Sequence, residues 1–311
     1  MPALPLIIDC DPGVDDAIAL LLALASPEFN LLGITTVAGN VPLALTEKNA
    51  RKICQLAGRT EIGVYAGCPR PLMRPLVTAE HVHGSTGLEG ADLPEPTLPL
   101  RSQHAVNFLI EQLTQAQQPI TVAALGPLTN IAVALIQQPQ ILVNLKELVI
   151  MGGAVTQGNV TPSAEFNFYV DPHAAKVVFE SGAKLTLISL DVTHQALTTP
   201  ERLAEIRAIA CPVCQAAADL LTYYGVADAL NHGLPGAPLH DPCVIAYLLN
   251  ADLFTGQAAA VAIETQSQLT LGRSVVDFLP GVAQAANATV LQTIDAARFY
   301  QLLTDRLSTY R

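Results

Sequence analysis

Strand-like and helix-like stretches alternate along most of the chain. Short apolar runs predict buried strands at 4–11, 31–39, 63–65, 120–125, 145–154, 185–193 and 289–294. Helices are predicted between them at 14–25, 46–56, 105–116, 127–138 and 171–181, with a last one at the C-terminus. Two alternating runs, 259–266 and 273–279, predict a small β-hairpin. This order predicts an α/β fold, with a mostly parallel central sheet and helices on both faces.

Other stretches depart from this alternation. The segment 67–99 contains six prolines and is predicted to be irregular, which is usual for functional or mobile segments of that length. Residues 157–170 are predicted to form a loop that leads into an extended piece. From Pro200 to Leu249 the pattern is mainly helical, and the glycines and prolines of 224–238 predict a flexible lid that interrupts it.

Composition and charge narrow the class of protein. The 311 residues are 50% hydrophobic and 14% charged, which is enough apolar material for one large α/β domain or two smaller ones. The low charged fraction suggests that subunit contacts cover part of the surface. The net charge of −11 argues against nucleic acid or an anionic membrane as the partner.

The N-terminal residues and the longest apolar runs indicate where in the cell the protein is found. No run reaches the ~20 apolar residues that a membrane-spanning helix needs. The opening residues MPALPLIID lack the basic start of a signal peptide. We therefore expect a cytoplasmic protein.

The six cysteines are scattered, which does not resemble a disulfide framework in a chain of this length. They stand at positions 10, 54, 68, 211, 214 and 243. Cys211 and Cys214 form a CPVC pair, but no second pair follows at zinc spacing. We therefore expect neither a metal nor a redox role for this pair.

Four carboxylates crowd into the first strand, turn and helix, at Asp9, Asp11, Asp15 and Asp16. Asp9 and Asp11 point to the same side of an extended strand, and the last two fall in a first helical turn, where the helix dipole favours negative charge. Each alone would be an ordinary cap or first-turn charge. Together they repel one another, and a hard divalent cation with oxygen ligands would remove that cost. A strand end is also where open α/β sheets bind ligands.

Polar residues elsewhere are informative only in combination. Asp241 stands beside His240 and before a proline, which suits a helix N-cap whose second carboxylate oxygen is free for a metal. Asn159, Glu165 and Asn167 supply two amides and a carboxylate that suit a hydroxyl-rich ligand such as a sugar. Glu165 and Asn167 share one face if the segment is extended. Singly, each is better explained as a cap, a structural histidine or an ordinary polar loop.

Asn40, His81 and His83 are weaker candidates. Asn40 follows a predicted strand, and alone it is better explained as a turn residue. The histidines of HVHG stand two residues apart in the irregular segment. Such a pair without a third ligand nearby is poor support for zinc.

Seven motifs together resemble those of one enzyme family. They are DCDPGVDDAIAL, TTVAGN, HVHG, GPLTN, IMGGA, GN–TP–AEFN and PLHDPC, in this order over nearly the whole chain. The set resembles the inosine-uridine preferring nucleoside hydrolases, and more closely the bacterial pyrimidine-specific ribonucleoside hydrolases. The resemblance implies one domain over 1–311 with a Rossmann-like fold. It also implies hydrolysis of ribonucleosides to ribose and free base, with a tightly bound Ca²⁺.

The resemblance further implies roles for residues at matching motif positions. The implied calcium ligands are Asp11, Asp16, Asp241 and the main-chain carbonyl of Leu125. Asp15 and Asn167 would hold the ribose hydroxyls nearest the metal, with Asn40 close by. The implied 5′-hydroxyl contacts are Asn159 and Glu165; Met151 would line the ribose pocket, and Asp9 would support the metal-binding acids.

The implied reaction uses a calcium-bound water. Asp11 would act as its general base, and the water would attack C1′ through an oxocarbenium-like state. His240 would protonate the leaving base, and His83 is the second candidate for that role. The resemblance also leads us to expect a homo-oligomer, either a tetramer or a dimer.

Alternative functions remain open at this point. The stretch after Tyr224 is poor in the aromatic residues that relatives place against the base, so a broad purine and pyrimidine hydrolase is an alternative to pyrimidine preference. An aspartate-nucleophile phosphatase shares an early D-x-D, but Pro12 and Gly13 stand where that class usually has Thr or Val. A non-catalytic nucleoside receptor is also possible, although receptors are usually exported.

Overall fold

In the part of the chain that the structure describes, nine strands form the central sheet and helices cover both of its faces. A computed structural model describes residues 2–232, 235–279 and 285–310, except for the side chains of 226–232. Its strands are β1 (Leu4–Cys10), β2 (Phe29–Thr36), β3 (Val64–Ala66), β4 (Ile120–Ala124), β5 (Leu145–Met151), β6 (Leu185–Ile188), β7 (Leu197–Thr198), β8 (Ala237–Pro238), β9 (Phe254–Ile263), β10 (Ser274–Asp277) and β11 (Ala288–Ile294). The sheet order is β10-β9-β11-β6-β5-β4-β1-β2-β3, and β7 pairs with β8 separately.

Twelve α-helices connect or flank these strands in the described ranges. They are α1 (Val14–Leu24), α2 (Leu43–Leu56), α3 (Glu80–His83), α4 (Ala105–Gln115), α5 (Thr129–Gln137), α6 (Phe166–Val170), α7 (Pro172–Phe179), α8 (Leu190–Thr193), α9 (Pro200–Arg207), α10 (Pro212–His232), α11 (Pro242–Leu249) and α12 (Ala296–Leu307). Short 3₁₀ helices lie at Pro139–Val143 and Ala251–Leu253. None of the described helices is both long enough and apolar enough to cross a membrane.

The predicted mostly parallel sheet is confirmed. The strands from β3 across to β11 all pair in parallel, and β9 and β10 add an antiparallel hairpin at one edge, as predicted. Successive residues of β1 enter opposite cores: Ile8 packs with α1, α10 and α12, whereas Ile7 packs with α4, α5 and α7. This alternation explains why β1 is apolar on both sides.

The position of β1 decides where a ligand can bind. It pairs with β2 on one side and β4 on the other, so the chain first adds strands on one side of β1 and then on the opposite side. Such a switch in strand order opens a crevice at the carboxyl ends of the strands. The four acids of the first motif lie at or just beyond this end of β1.

Three local predictions are wrong. The strand predicted over 185–193 ends at Ile188, because the Ser189 carbonyl accepts the N–H groups of Val192 and Thr193 and begins α8. The extended piece predicted before residue 170 is the helix α6, which the Glu165 carboxylate caps by accepting two backbone N–H groups.

The interruption predicted over 224–238 is also wrong as far as His232, because α10 continues to that residue. A single glycine such as Gly225 costs a helix only about 1 kcal/mol, and the next breakers follow the helix. Residues 233 and 234, which belong to the predicted lid, lie outside the described residues.

The expectation of no disulfide is wrong for the CPVC pair, since Cys211 and Cys214 are bonded. Cys211 directly precedes α10 and Cys214 lies in its first turn, which brings their Cα atoms to 5.2 Å. That separation lies within the range a disulfide spans. The other four cysteines are free.

Candidate active site

A cavity of about 360 Å³ lies beyond the carboxyl ends of β1, β4 and β5. It gathers ten residues that the sequence proposed for the site: Asp15, Asn40, His83, Leu125, Met151, Asn159, Glu165, Asn167, His240 and Asp241. Asp9, Asp11 and Asp16 lie behind this lining and are wholly or almost wholly buried. Elements from both ends of the chain therefore meet at one cavity.

Asp16 organises the turn between β1 and α1. Its Oδ1 accepts the backbone N–H of Asp11 at 3.2 Å, and its Oδ2 accepts that of Gly13 at 2.9 Å. The Asn40 Nδ2 donates to the same Oδ2 at 3.0 Å. The carboxylate thus satisfies N–H groups that a helix start leaves without partners.

Within the described residues, only one of the two carboxylate oxygens of Asp11 accepts a hydrogen bond. Its Oδ2 accepts the backbone N–H of Asn40 at 2.7 Å, whereas its buried Oδ1 has no hydrogen-bond partner within the described residues. A Cβ atom at Gly39 or Gly126 would overlap the Asp11 carboxylate, so both glycines are needed for this close approach. Such an unpaired buried oxygen is costly unless a further group binds it.

Asp15, Asp16 and Asp241 bring carboxylate oxygens within 4.8 Å of one another, and all three are buried. The Asp15 Oδ1 also lacks a hydrogen-bond partner in the described chain. The sequence assigned Asp15 to the ribose and Asp11 to the metal. The geometry groups Asp15 with the acids and leaves Asp11 outside this particular trio.

Asp9 is supported from two other motifs. Its Oδ1 accepts hydrogen bonds from Thr35 Oγ1 at 2.5 Å and Asn130 Nδ2 at 2.8 Å. Asn130 also donates to the Thr36 carbonyl and accepts from the backbone N–H of Cys68. This network joins the ends of β1 and β2 to α5 and to the irregular segment.

Burial is the largest cause of raised pKa values throughout the acid cluster. It raises the pKa of Asp9 to about 7 and that of Asp15 to about 8, and the charge of Asp16 adds to the second shift. The pKa values of Asp11 and Asp241 lie well above the usual range because of burial and the neighbouring carboxylates. Burial also raises the pKa of Asp16, although backbone N–H groups oppose the shift.

These residues fit a hard divalent cation. Among the described residues, three buried carboxylate oxygens of Asp9, Asp11 and Asp15 lack hydrogen-bond partners, and several negative charges are crowded together. A hard divalent cation would neutralise these charges and bind such oxygens. The Leu125 carbonyl accepts one hydrogen bond, from Asn167 Nδ2 at 2.7 Å. A carbonyl oxygen has a second lone pair, so it can still act as a ligand.

Two amides face the cavity with their donors already used. Asn167 Nδ2 donates to the Leu125 and Met151 carbonyls at 2.7 and 3.2 Å. Asn40 Nδ2 donates to the Asp11 carbonyl and to Asp16. Their Oδ1 atoms are therefore the groups that each amide can offer a ligand, as acceptors for hydroxyl groups.

Glu165 lies at the start of α6 and also faces the cavity. Its Oε1 accepts the Asn167 N–H at 2.8 Å, and its Oε2 accepts those of Gly153 and Phe168. Burial raises the pKa of Glu165 to about 7, and these bonds oppose the rise. Asn159 is more exposed at the cavity rim, and its Oδ1 accepts the Phe166 N–H at 3.0 Å.

The proton position on His83 is fixed by the backbone. Its Nδ1 accepts the N–H of Val14 at 3.1 Å, so a neutral ring carries its proton on Nε2. Burial lowers the pKa of His83 to about 3, so the ring is neutral at pH 7. The 4.0 Å approach of Nδ1 to the Asp15 carboxylate is therefore not an ion pair.

His240 is held by α8. Its Nδ1 lies 2.7 Å from the Thr193 hydroxyl, and its ring centroid lies 5.9 Å from that of His194. Thr193 and His194 were missed in the sequence because their segment was assigned to a strand. Five other cavity residues were also not predicted as site residues: Ala79, Val82, Val160, Phe166 and Tyr224. Tyr224 stacks on His83, with 5.5 Å between ring centroids.

Comparison with known proteins identifies the family. The profile of the inosine-uridine preferring nucleoside hydrolases matches residues 6–301. The chain belongs to this family. Its members are hydrolases acting on N-glycosyl compounds, so the chain is an enzyme of that class.

Individual nucleoside hydrolases support the assignment. The pyrimidine-specific ribonucleoside hydrolase RihA of Shewanella sp. (strain MR-7) is 48% identical over 307 residues, which cover 98% of this chain and 96% of that relative. Among solved structures, the purine-preferring ribonucleoside hydrolase from Gardnerella vaginalis has a TM-score of 0.92 at 32% identity, covering 98% of both chains. A plant nucleoside hydrolase has a TM-score of 0.91 at 29% identity, covering 99% of both. The fold and family predicted from the sequence are thus confirmed.

Proposed function

We propose that this nucleoside hydrolase cleaves the N-glycosidic bond of ribonucleosides and prefers the pyrimidine nucleosides uridine and cytidine. The observation that carries the proposal is the set of buried carboxylates with unpaired oxygens beside a cavity rich in hydroxyl acceptors. The pyrimidine preference rests on the relatives of that specificity at 48% identity over nearly the full chain.

We further propose Ca²⁺ as the bound cation, with Asp11, Asp16, Asp241 and the Leu125 carbonyl as its ligands. When bound, the ion would orient the ribose diol and acidify a water molecule. Asp15 lies among these acids and, in this proposal, accepts a hydrogen bond from a ribose hydroxyl. Only carboxylate and carbonyl oxygens enter the set, which suits calcium better than a softer metal.

Asp11 is the proposed general base. Its unpaired Oδ1 is buried, and burial raises its proton affinity. A base of this kind accepts a proton from the water that attacks C1′. The surrounding carboxylates then stabilise the positive charge that develops on the ribose ring.

The ribose hydroxyls are proposed to meet acceptors that the fold has already oriented. Asn167 and Asn40 offer their Oδ1 atoms because both amide groups donate elsewhere. Glu165 and Asn159 also line the cavity and would bind the 5′-hydroxyl, and Met151 would contact the sugar.

We propose that two histidines interact with the leaving base in different ways, one by hydrogen bonding and one by proton transfer. His83 carries its proton on Nε2 and stays neutral, so it donates a hydrogen bond to the base without transferring the proton. His240 is the proposed general acid, positioned by the Thr193 hydroxyl. Proton transfer to the base would make it a better leaving group.

Ribose release from a panel of nucleosides tests the function. With Ca²⁺ present, we expect uridine and cytidine to give the highest kcat/KM among uridine, cytidine, inosine and guanosine. Asp11→Ala should lower kcat on uridine by several orders of magnitude, because it removes the base and a metal ligand. Asp252→Ala removes an exposed carboxylate and is the matched control, with unchanged kcat.

Each contrary result has a specific meaning. Comparable rates on all four nucleosides would favour the broad-specificity alternative. No ribose from any nucleoside, with phosphate released from a phosphomonoester, would favour the phosphatase. Near-normal turnover in Asp11→Ala would exclude Asp11 as the base. A single domain over 1–311, a dimeric or tetrameric assembly and a cytoplasmic location remain predictions from the sequence.

A further inference from the structure

The bonded pair Cys211–Cys214 takes no part in the proposed reaction, yet it lies at the start of the helix that reaches the cavity. Pro212 is the first residue of α10, and Tyr224 on the same helix lines the cavity and stacks on His83. The ten residues from Cys214 to Tyr224 correspond to about 15 Å of helix. The pair therefore closes the first turn of an element that shapes the base side of the site.

The surroundings of the two sulfurs differ. The Cys211 Sγ accepts the backbone N–H of Cys214 at 3.0 Å, and Cys211 retains 7% exposure. Cys214 is wholly buried, and its Sγ lies 3.3 Å from the Leu307 carbonyl of α12. A sulfur before a helix start, next to free N–H groups, is where a thiolate is stabilised. Cys211 is thus the more exposed of the two residues, and it is the one whose thiolate the helix start would stabilise.

We propose that Cys211 and Cys214 form a reversible dithiol–disulfide site that exchanges with low-molecular-weight thiols and their disulfides. In the oxidised form the bond fixes the first turn of α10. In the reduced form that turn is free to open locally. The state of the pair thereby adjusts how firmly Tyr224 is held at the cavity.

The exchange balances in two steps. A small-molecule thiolate attacks the Cys211 sulfur, forms a mixed disulfide and releases Cys214 as a thiolate, which takes up a proton and can donate to the Leu307 carbonyl. A second thiolate attacks the sulfur of the small molecule in the mixed disulfide and releases Cys211, which is also protonated. Two thiols become one small-molecule disulfide, and the protein disulfide becomes two thiols.

The remaining cysteines provide an internal comparison. Burial raises the pKa of both Cys54 and Cys68 to about 12, and Cys10 and Cys243 are wholly buried. Thiols with so little thiolate exchange slowly. Rapid exchange in the folded protein should therefore be confined to the CPVC pair.

Counting alkylated thiols by intact mass tests the site without relying on enzymatic activity. The folded protein is incubated with either glutathione disulfide or dithiothreitol, the reagent is removed, and the protein is then denatured and alkylated. We expect four alkyl groups after the first treatment and six after the second, from four free cysteines and six in total. The Cys211→Ser/Cys214→Ser variant should give four in both cases.

Two results would overturn the site. Six alkyl groups after glutathione disulfide would mean that the pair does not oxidise. Four after dithiothreitol, with six only once the protein is reduced in denaturant, would mean an inert structural bond.

The effect on the cavity rests on the proposed function and is measured separately. The KM for uridine should rise on reduction by about threefold, a size typical of coupling through a packed element. The double serine variant should show no difference between the two treatments. An unchanged KM in the native protein with an altered thiol count would overturn the link to Tyr224 and leave the exchange site intact. No ribose release in either state would contradict the proposed function alone.

Discussion

At the scale of single residues, hydrogen bonds to the backbone decide which atom of each polar side chain can bind a ligand. The Val14 N–H occupies the Nδ1 of His83, and two carbonyls occupy both hydrogens of the Asn167 amide. These partners lie elsewhere in the chain, so the residue type alone did not reveal which side-chain atom can bind a ligand. Each side chain is thereby prepared for one role, as a donor for His83 and as an acceptor for Asn167.

A prediction at this scale concerns His240. We expect His240→Ala to lower kcat on uridine by about 10²- to 10⁴-fold, the usual contribution of a general acid. The loss on a nitrophenyl riboside should be much smaller, because nitrophenolate leaves without protonation. Steady-state rates on both substrates provide the measurement.

His81→Ala is the matched control, because His81 lies at the cavity rim and is exposed. It should leave the ratio of the two rates unchanged. An equal loss on both substrates for His240→Ala would assign His240 a positioning role instead of proton transfer.

At the scale of elements, Asp191 joins α8 to the loop after β5. Its Oδ2 accepts the Val155 N–H at 2.7 Å, and its Oδ1 accepts the N–H and hydroxyl of Thr156 at 3.2 and 2.6 Å. This loop carries Asn159, a proposed contact to the 5′-hydroxyl. Asp191 thus holds the loop of this proposed substrate contact from outside the cavity.

We expect Asp191→Asn to raise the KM for uridine by about tenfold, which corresponds to ~1.4 kcal/mol, about one hydrogen bond to a charged group. The KM for 5′-deoxyuridine should not change, since this substrate lacks the hydroxyl that Asn159 would bind. Equal effects on both substrates would indicate general loosening of the loop. Asp305→Asn, at an exposed site on α12, should affect neither.

The helices and strands also show which elements a local sequence pattern can predict and which it cannot. The strands of the central sheet and its edge hairpin could be predicted because apolar periodicity records which residues are buried. α6 and α8 could not, because each begins at a cap whose effect depends on a few hydrogen bonds in a short segment. The continuation of α10 past Gly225 was missed because one breaker residue was given too much weight.

At the scale of the whole molecule, the buried acids link metal binding to stability. Asp9 and Asp15 have pKa values near 7 and 8 in the metal-free fold, against about 4 in an unfolded chain. Between these values the folded state binds more protons than the unfolded state, so stability falls as pH rises. A bound cation would remove this dependence by neutralising the carboxylates.

We therefore expect the metal-free protein to lose stability as pH rises from about 4 to about 8. Added Ca²⁺ should raise the Tm most at the upper end of this range, because ligand binding to the folded state adds to its stability. Thermal unfolding at several pH values, with a chelator or with Ca²⁺, measures both effects. A metal-free Tm that rises steadily over this range would contradict the raised pKa values.

The sequence by itself determined the alternation of strands and helices, the family and the crowding of acids in the first motif, because these depend on residues close together along the chain. The tertiary structure decided which distant groups meet. It brought Asp241 to Asp15 and Asp16, and it set Thr193 against His240. The physical reason is that strand order and helix packing set these distances, and neither is encoded in the periodicity of a single segment.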